Sequence, residues 1–195
     1  MRGRLAALAG IVTASILAFP GAAHASLDAD WEMNETGRPP ATMVDSGGGG
    51  HDGQPMRGVV GNGTSYTFDG TGVVEVADPD GATLSPGGQD IRITAALAFT
   101  KLPPDHDYDI VRKKPAGVAG MQYRMEIMFT GKAKCFFTGD RSNAAITARP
   151  VLNDGRFHTV ICTKTSSTIG VIVDGEAKTK NVVIGSIDYV ELSYT

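Results

Sequence analysis

A two-residue rhythm constrains this chain more than any other feature. In residues 122–129, Tyr123, Met125, Ile127 and Phe129 take one face of an extended chain, and Gln122, Arg124 and Glu126 take the other. Residues 168–173 repeat the pattern with Ile169, Val171 and Val173. No long stretch of the sequence after residue 25 has apolar residues at helical spacing. Further short runs predict strands at 27–33, 66–69, 73–76, 91–99, 109–113, 134–138, 144–148, 157–164, 177–184 and 187–193. Five Asp-Gly pairs punctuate them, at 52–53, 69–70, 80–81, 154–155 and 174–175, and this dipeptide favours tight turns. Glycine supplies 25 of 195 residues, about twice the usual ~7%, which suits turns better than helices. Many short strands joined by such turns predict an all-β fold, a two-sheet antiparallel β-sandwich.

The N-terminus predicts export. Arg2 and Arg4 precede an apolar stretch over residues 5–19, and Pro20-Gly21 breaks it before the small-x-small site Ala23-His24-Ala25. The apolar stretch is shorter than a membrane-spanning helix requires, and no second one follows. Residues 1–25 therefore read as a removable signal peptide, and 26–195 as one secreted domain without a membrane span. Removing the two arginines makes the exported part more acidic than the whole chain, whose net charge is −3. Such a chain, with no basic run, does not resemble a nucleic-acid binder or a binder of anionic membranes. Two cysteines, Cys135 and Cys162, are an even count in an oxidising compartment, which predicts a disulfide between neighbouring strands. They lack the paired spacing of a zinc site and the proximity of a redox dithiol.

Two segments read as long loops. Residues 35–62 hold four consecutive glycines and three prolines, and 101–109 hold Pro103-Pro104 and an acidic run. Val44-Asp45-Ser46-Gly47-Gly48 superficially suggests a nucleophilic serine, yet no histidine lies between residue 25 and Ser46, and no Gly-x-Ser-x-Gly elbow occurs. The glycine run lacks the Lys-Ser/Thr pair of a phosphate cradle. Glycoside hydrolysis needs two facing carboxyl groups. Glu126 stands alone between apolar residues, and Asp188 and Glu191, three apart, point to opposite faces of a strand. Asp105, His106, Asp107 and Asp109 could ligate a metal, although a solvated acidic loop is the simpler reading. His158 shares a face with Val160 and Cys162, as a structural histidine would. Arg112-Lys113-Lys114 reads as a solvated strand end. Asn34-Glu35-Thr36 and Asn62-Gly63-Thr64 are sequons that matter only in a glycosylating host.

Several of these strings together resemble a known family. The segment 27–33 with Trp31, then Val44-Asp45-Ser46-Gly47 and His51-Asp52-Gly53, is similar to the opening of the laminin-G-like jelly-roll domains of the concanavalin A-like lectin/glucanase superfamily. Tyr66-Thr67-Phe68-Asp69-Gly70 followed by Val73-Val74-Glu75-Val76, and then Asp90-Ile91-Arg92-Ile93-Thr94, look like later signatures. The most specific match is Asp154-Gly155-Arg156-Phe157-His158-Thr159-Val160 with Gly170-Val171-Ile172-Val173-Asp174-Gly175. Phe157 replaces the family's usual tryptophan, a conservative change if the position packs in the core. The stretch between Gly175 and Ile187 is short for the family, which predicts a trimmed sheet edge. The resemblance implies a concanavalin A-like jelly roll and a structural calcium, with Asp45 as its carboxylate ligand and Asp188 as a second. For Asp45 the alternative is a plain Asx-turn.

Three functions fit such a domain: a non-catalytic module for an extracellular glycan or other cell-envelope component, a polysaccharide-cleaving enzyme, and an adhesion or structural domain with a protein partner. With no catalytic constellation in the sequence, the first is the reading, and the chain is expected not to be an enzyme. Trp31, in the first strand, is expected in the core. That leaves Tyr108 and Tyr123 as the expected ligand-contacting aromatics of a shallow, weak site.

Overall fold

The structure is a computed structural model that describes residues 28–77, 84–102, 107–113 and 120–188. The described residues form no helix, and none is long and apolar enough to cross a membrane. They form β1 (Thr36–Gly37), β2 (Gly53–Pro55), β3 (Val59–Asn62), β4 (Tyr66–Phe68), β5 (Val74–Val76) and β6 (Ile91–Leu97). There follow β7 (Tyr108–Arg112), β8 (Gln122–Ile127), β9 (Ala133–Thr138), β10 (Asn143–Thr147), β11 (His158–Lys164), β12 (Thr168–Val173) and β13 (Glu176–Asn181).

Two four-stranded antiparallel sheets make the body. Sheet I is a meander in the order β10-β9-β8-β7, and sheet II has the order β13-β12-β11-β6. The chain enters sheet II with β6, crosses to build sheet I, and returns to lay β11 beside β6 over seven paired residues. Alternation decides which side chains face inward. Tyr123, Met125 and Ile127 of β8, Ala133, Cys135 and Phe137 of β9, and Val160 and Cys162 of β11 are buried together with Ile169, Val171 and Val173 of β12. An antiparallel all-β sandwich is therefore the fold, as the period-two pattern predicts.

The disulfide forms, but its location differs from the expectation. Cys135 lies in β9 and Cys162 in β11, so the bond crosses from one sheet to the other instead of joining neighbours within a sheet. Their Cα atoms are 5.6 Å apart, well inside the ~10 Å typical between stacked sheets, so the layers converge there. Small inward residues Ala133, Ala144 and Ala148 on the same side of sheet I allow that approach.

Several local expectations are corrected. Residues 35–62 are not one loop: they hold β1, β2 and β3, which complete a three-stranded sheet β1-β3-β4 and a pair β2-β5. Asp52-Gly53 is not a turn, because Gly53 opens β2. A Cβ there would stand 2.6 Å from Met43 Cε and 2.7 Å from Val74 Cγ1, so close packing requires the glycine. Asp174-Gly175 does turn, linking β12 to β13 with φ of 48° and 88°, the positive pair of a type I′ hairpin. Asp80-Gly81 lies outside the described residues. The predicted first strand is reduced to a single bridge between Trp31 and Asp45. Trp31 is half-buried and outside the main core, and its indole N–H donates to the His51 carbonyl at 2.7 Å. Phe157 is 70% exposed, so it does not pack where the family's tryptophan was expected to. Beyond Gly175 the exposed β13 ends sheet II, and a single bridge from Gly87 to Ile187 follows.

Candidate functional site

The outward face of sheet I gathers five ionisable side chains from three strands, and Asp107, just before β7, adds a sixth. Strand register places them. Asp109 of β7, Glu126 of β8 and Lys134 of β9 are successive cross-strand partners, and so are Arg112, Arg124 and Phe136 one row along. Asp109 and Arg112 are three residues apart and would point to opposite faces of a regular strand. The pairing shifts at Ile110, and this extra residue returns both to the outward face.

The contacts form one network. Arg124 Nη1 donates to Glu126 Oε1 at 2.7 Å, and Lys134 Nζ lies 2.8 Å from Glu126 Oε2. Lys134 also donates to Asp107 at 2.5 Å, and Arg112 pairs with Asp109 at 2.9 Å. A guanidinium nitrogen of Arg112 reaches within 3.9 Å of Glu126. The Arg124 guanidinium lies 4.4 Å over the Phe136 ring, a cation–π contact. Three acids and three bases balance, so Glu126 stays buried at 3% exposure without a net local charge. Arg112 and Arg124 face each other across the strands, and the Glu126 carboxylate between them offsets their repulsion.

Electrostatics differ around the network. Burial pushes the Asp109 carboxyl up, and Glu126 beside it adds to the rise against Arg112 and Arg124. For Lys134, burial works against the ammonium, yet hydrogen bonds to Asp107 and Glu126 prevail and hold its pKa above the usual value. The Nε atoms of both Arg112 and Arg124 are buried without a hydrogen-bond acceptor. The face thus carries closely spaced charged donors and acceptors, one of them stacked on an aromatic ring.

Asp109 and Arg112 are therefore not the solvated loop and strand-end groups that the sequence suggested, and Glu126 does not stand alone. An acid pair exists, but across strands instead of along one. Asp105, His106 and Lys114 lie outside the described residues. Tyr123 is a correction: it is 7% exposed in the core, and its hydroxyl donates to the Leu84 carbonyl. Tyr108 is half-buried and packs against the same core, with its hydroxyl 3.5 Å from the Leu102 carbonyl. Both tyrosines sit at inward positions of their strands, so neither ring is offered on the outward face.

Asp45 behaves as the Asx-turn alternative described. Its Oδ1 accepts from the N–H groups of Asp30 and Gly47, both at 2.9 Å, and its Oδ2 from that of His51 at 3.0 Å. Burial works against this carboxylate, but those three N–H donors outweigh it and hold the pKa low. Asp188 lies elsewhere, hydrogen-bonded to the Ser186 hydroxyl. No hydrogen bond joins the two aspartates, and among the described residues no group of three or more His, Cys, Asp or Glu stands together. The three N–H donors already turned on the Asp45 carboxylate are a poor match to a cation ligand.

His158 is a structural histidine, as its position predicted. Its Nδ1 lies 2.6 Å from Asp174 Oδ2 and its Nε2 3.0 Å from Asp154 Oδ1. Hydrogen bonds to Asp174 and then Asp154 raise its pKa. It thereby ties the loop before β11 to the β12–β13 hairpin.

No family model matches the sequence, and no curated protein matches it. Solved structures do. The chain is similar to mouse laminin alpha1 domains LG4-5, with 22% identity, a TM-score of 0.42, and coverage of 53% of this chain and 28% of that one. It is also similar to an S-layer domain-containing protein (residues 221–444) from Clostridium thermocellum, with 20% identity, a TM-score of 0.43, and coverage of 80% and 73%. The chain thus spans under a third of the laminin fragment's length. The fold itself rests on the strand pairing above. The closed disulfide fits an extracellular or cell-surface domain.

Proposed function

We propose that the protein is a secreted, non-catalytic binding module for an extracellular or cell-envelope glycan, and that the outward face of sheet I receives it. One observation carries this reading: a buried glutamate held in a charge-balanced network on the exterior of a sheet. Removing charges from water costs more than such networks usually return, so stability alone gives little reason to keep one there. A sugar polymer offers alternating hydroxyl donors and acceptors that suit the spaced arginine, lysine and carboxylate groups. The ring of Phe136 backs the Arg124 guanidinium. Binding to an open sheet face desolvates little, so the expected affinity is weak.

The test is binding to a panel of soluble polysaccharides, measured by calorimetry and paired with reducing-end assays. Glu126→Gln should weaken binding by roughly tenfold or more, because it frees Arg124 and Lys134 from the positions in which the buried carboxylate holds them. Thr163→Val, on the exterior of sheet II, should leave it unchanged. Equal binding by Glu126→Gln and the parent would remove the site from this face. Turnover that disappears in Glu126→Gln or Asp109→Asn would replace the binding module with a polysaccharide-cleaving enzyme, because those adjacent carboxyl groups would then be its acid pair.

A further inference from the structure

The end of the sandwich where β8 turns into β9 holds a second feature, separate from the charged face. Four large apolar side chains stand in solvent there: Phe157 is 70% exposed, Phe129 60%, Val151 52% and Leu102 41%. They come from the segment after β6, the β8–β9 hairpin and the β10–β11 connection. Backbone hydrogen bonds lace these segments together. The Leu152 N–H donates to the Gly131 carbonyl at 2.9 Å, and the Gly155 N–H to the Phe99 carbonyl at 3.1 Å. Gly131 marks where two of the side chains meet: a Cβ built on it would lie 3.0 Å from both Leu102 Cδ2 and Val151 Cγ1. Phe129 is two residues away on the same hairpin. The apolar groups are thus presented by a fixed platform, and each carries a hydration cost that a partner would relieve.

Charge selects the partner. At this end Arg156 pairs with Asp154, Arg149 with Glu176, and Asp154 and Asp174 hold His158. Lys101, next to Leu102, and Lys132, next to Gly131, have no acidic partner among the described residues. Among the described residues, two cations without an acidic partner therefore flank the apolar group. A two-fold contact with a second copy would set these lysines against their own counterparts, which disfavours self-association.

We propose that this end docks on an anionic lipid surface, its apolar side chains entering the headgroup–acyl boundary and Lys101 and Lys132 meeting phosphate groups. The acidic balance of the sequence argued against binding to anionic membranes, but the local distribution of charge corrects that expectation. Attraction to a charged membrane fades beyond a Debye length of about 8–10 Å, so the local lysines decide.

Flotation of the purified protein with vesicles tests the proposal. Vesicles of phosphatidylcholine mixed with phosphatidylglycerol should bind it, pure phosphatidylcholine vesicles should bind it less, and added salt should release it. The exposed double change Phe129→Ser with Phe157→Ser should lower partitioning by roughly tenfold or more, with melting unchanged. Lys101→Glu with Lys132→Glu should abolish the preference for the anionic vesicles, since each lysine near the surface is worth roughly fivefold. Absence of binding to either vesicle, or binding that survives loss of both phenylalanines, would overturn the proposal. So would a concentration-dependent dimer that the phenylalanine changes dissolve, because the patch would then serve self-association.

Discussion

The two sheets share one core but present different exteriors. Outside sheet II, the register sets Thr94 against Ile161 and Ile172, Thr163 against Gly170, and Thr159 against Ala96. These are β-branched or small residues, the ordinary material of a half-covered strand surface. Arg92 is the only ionisable group that β6, β11 and β12 place on that face. Outside sheet I, rows of the same length carry Asp109, Glu126 and Lys134, then Arg112, Arg124 and Phe136. Since one sheet of this sandwich carries a single ionisable group, Arg92, on the exterior of β6, β11 and β12, a charged network on the other is no requirement of the fold. That contrast is what supports the proposed role of the sheet I exterior.

The disulfide is the part common to both sheets, and removing it should produce the largest effect. Cys135→Ala with Cys162→Ala opens a loop of sequence separation 27, for which chain entropy predicts a loss of about 3.5 kcal/mol. Thermal unfolding should fall by roughly 10 °C, a change that calorimetry would detect. Both exteriors should be retained at lower temperature, with the proposed binding face unaltered.

Next come changes that separate the two exteriors. Glu126→Gln leaves Arg124 and Lys134 without their shared counter-charge. It should cost about 2 kcal/mol, reduced because a fifth of each cation remains exposed. Thr163→Val on the opposite exterior should stay within about 0.5 kcal/mol. Replacing the triad together, with Arg124→Met, Glu126→Leu and Lys134→Met, should restore stability while still abolishing binding. If the triple variant were less stable than Glu126→Gln alone, the network would be structural and the contrast between faces would collapse.

A smaller effect depends on pH. The His158 pKa is raised, so its contribution is complete below the unfolded value near 6.5 and fades as pH climbs through the folded value. Asp154 and Asp174 are shifted the opposite way, with their pKa values lowered, so their share is lost only as acid protonates them. The melting difference between the parent and His158→Gln should therefore be greatest at mildly acidic pH and shrink toward alkaline pH. A difference that grew above neutrality would contradict the ion-paired imidazolium. The smallest expected effect is none: millimolar calcium against chelator should leave the melting temperature unchanged, because backbone N–H groups already occupy the Asp45 carboxylate.

Period-two alternation was enough to predict the all-β class, the strands β8, β11 and β12, and the inward set from Tyr123 to Val173. Side-chain facing in a strand is a local property of the backbone, so nearest-neighbour spacing reports it. The pairing of Cys135 with Cys162 was legible for a similar reason: with two cysteines only one bond is possible. That the bond would join the sheets was not legible, because the layer in which a strand lies depends on crossings over long stretches of chain. The alternation that put Tyr123 beside Met125 and Ile127 already argued against a ligand role for it. The charged site remained hidden because each part looked ordinary alone: a loop aspartate, a strand-end arginine, a single glutamate and a lysine eight residues later. Only the β7–β8–β9 register and the shift at Ile110 bring them to one face. Register is set by core packing and loop geometry across strands, and that information belongs to the folded sandwich and not to any one segment of its sequence.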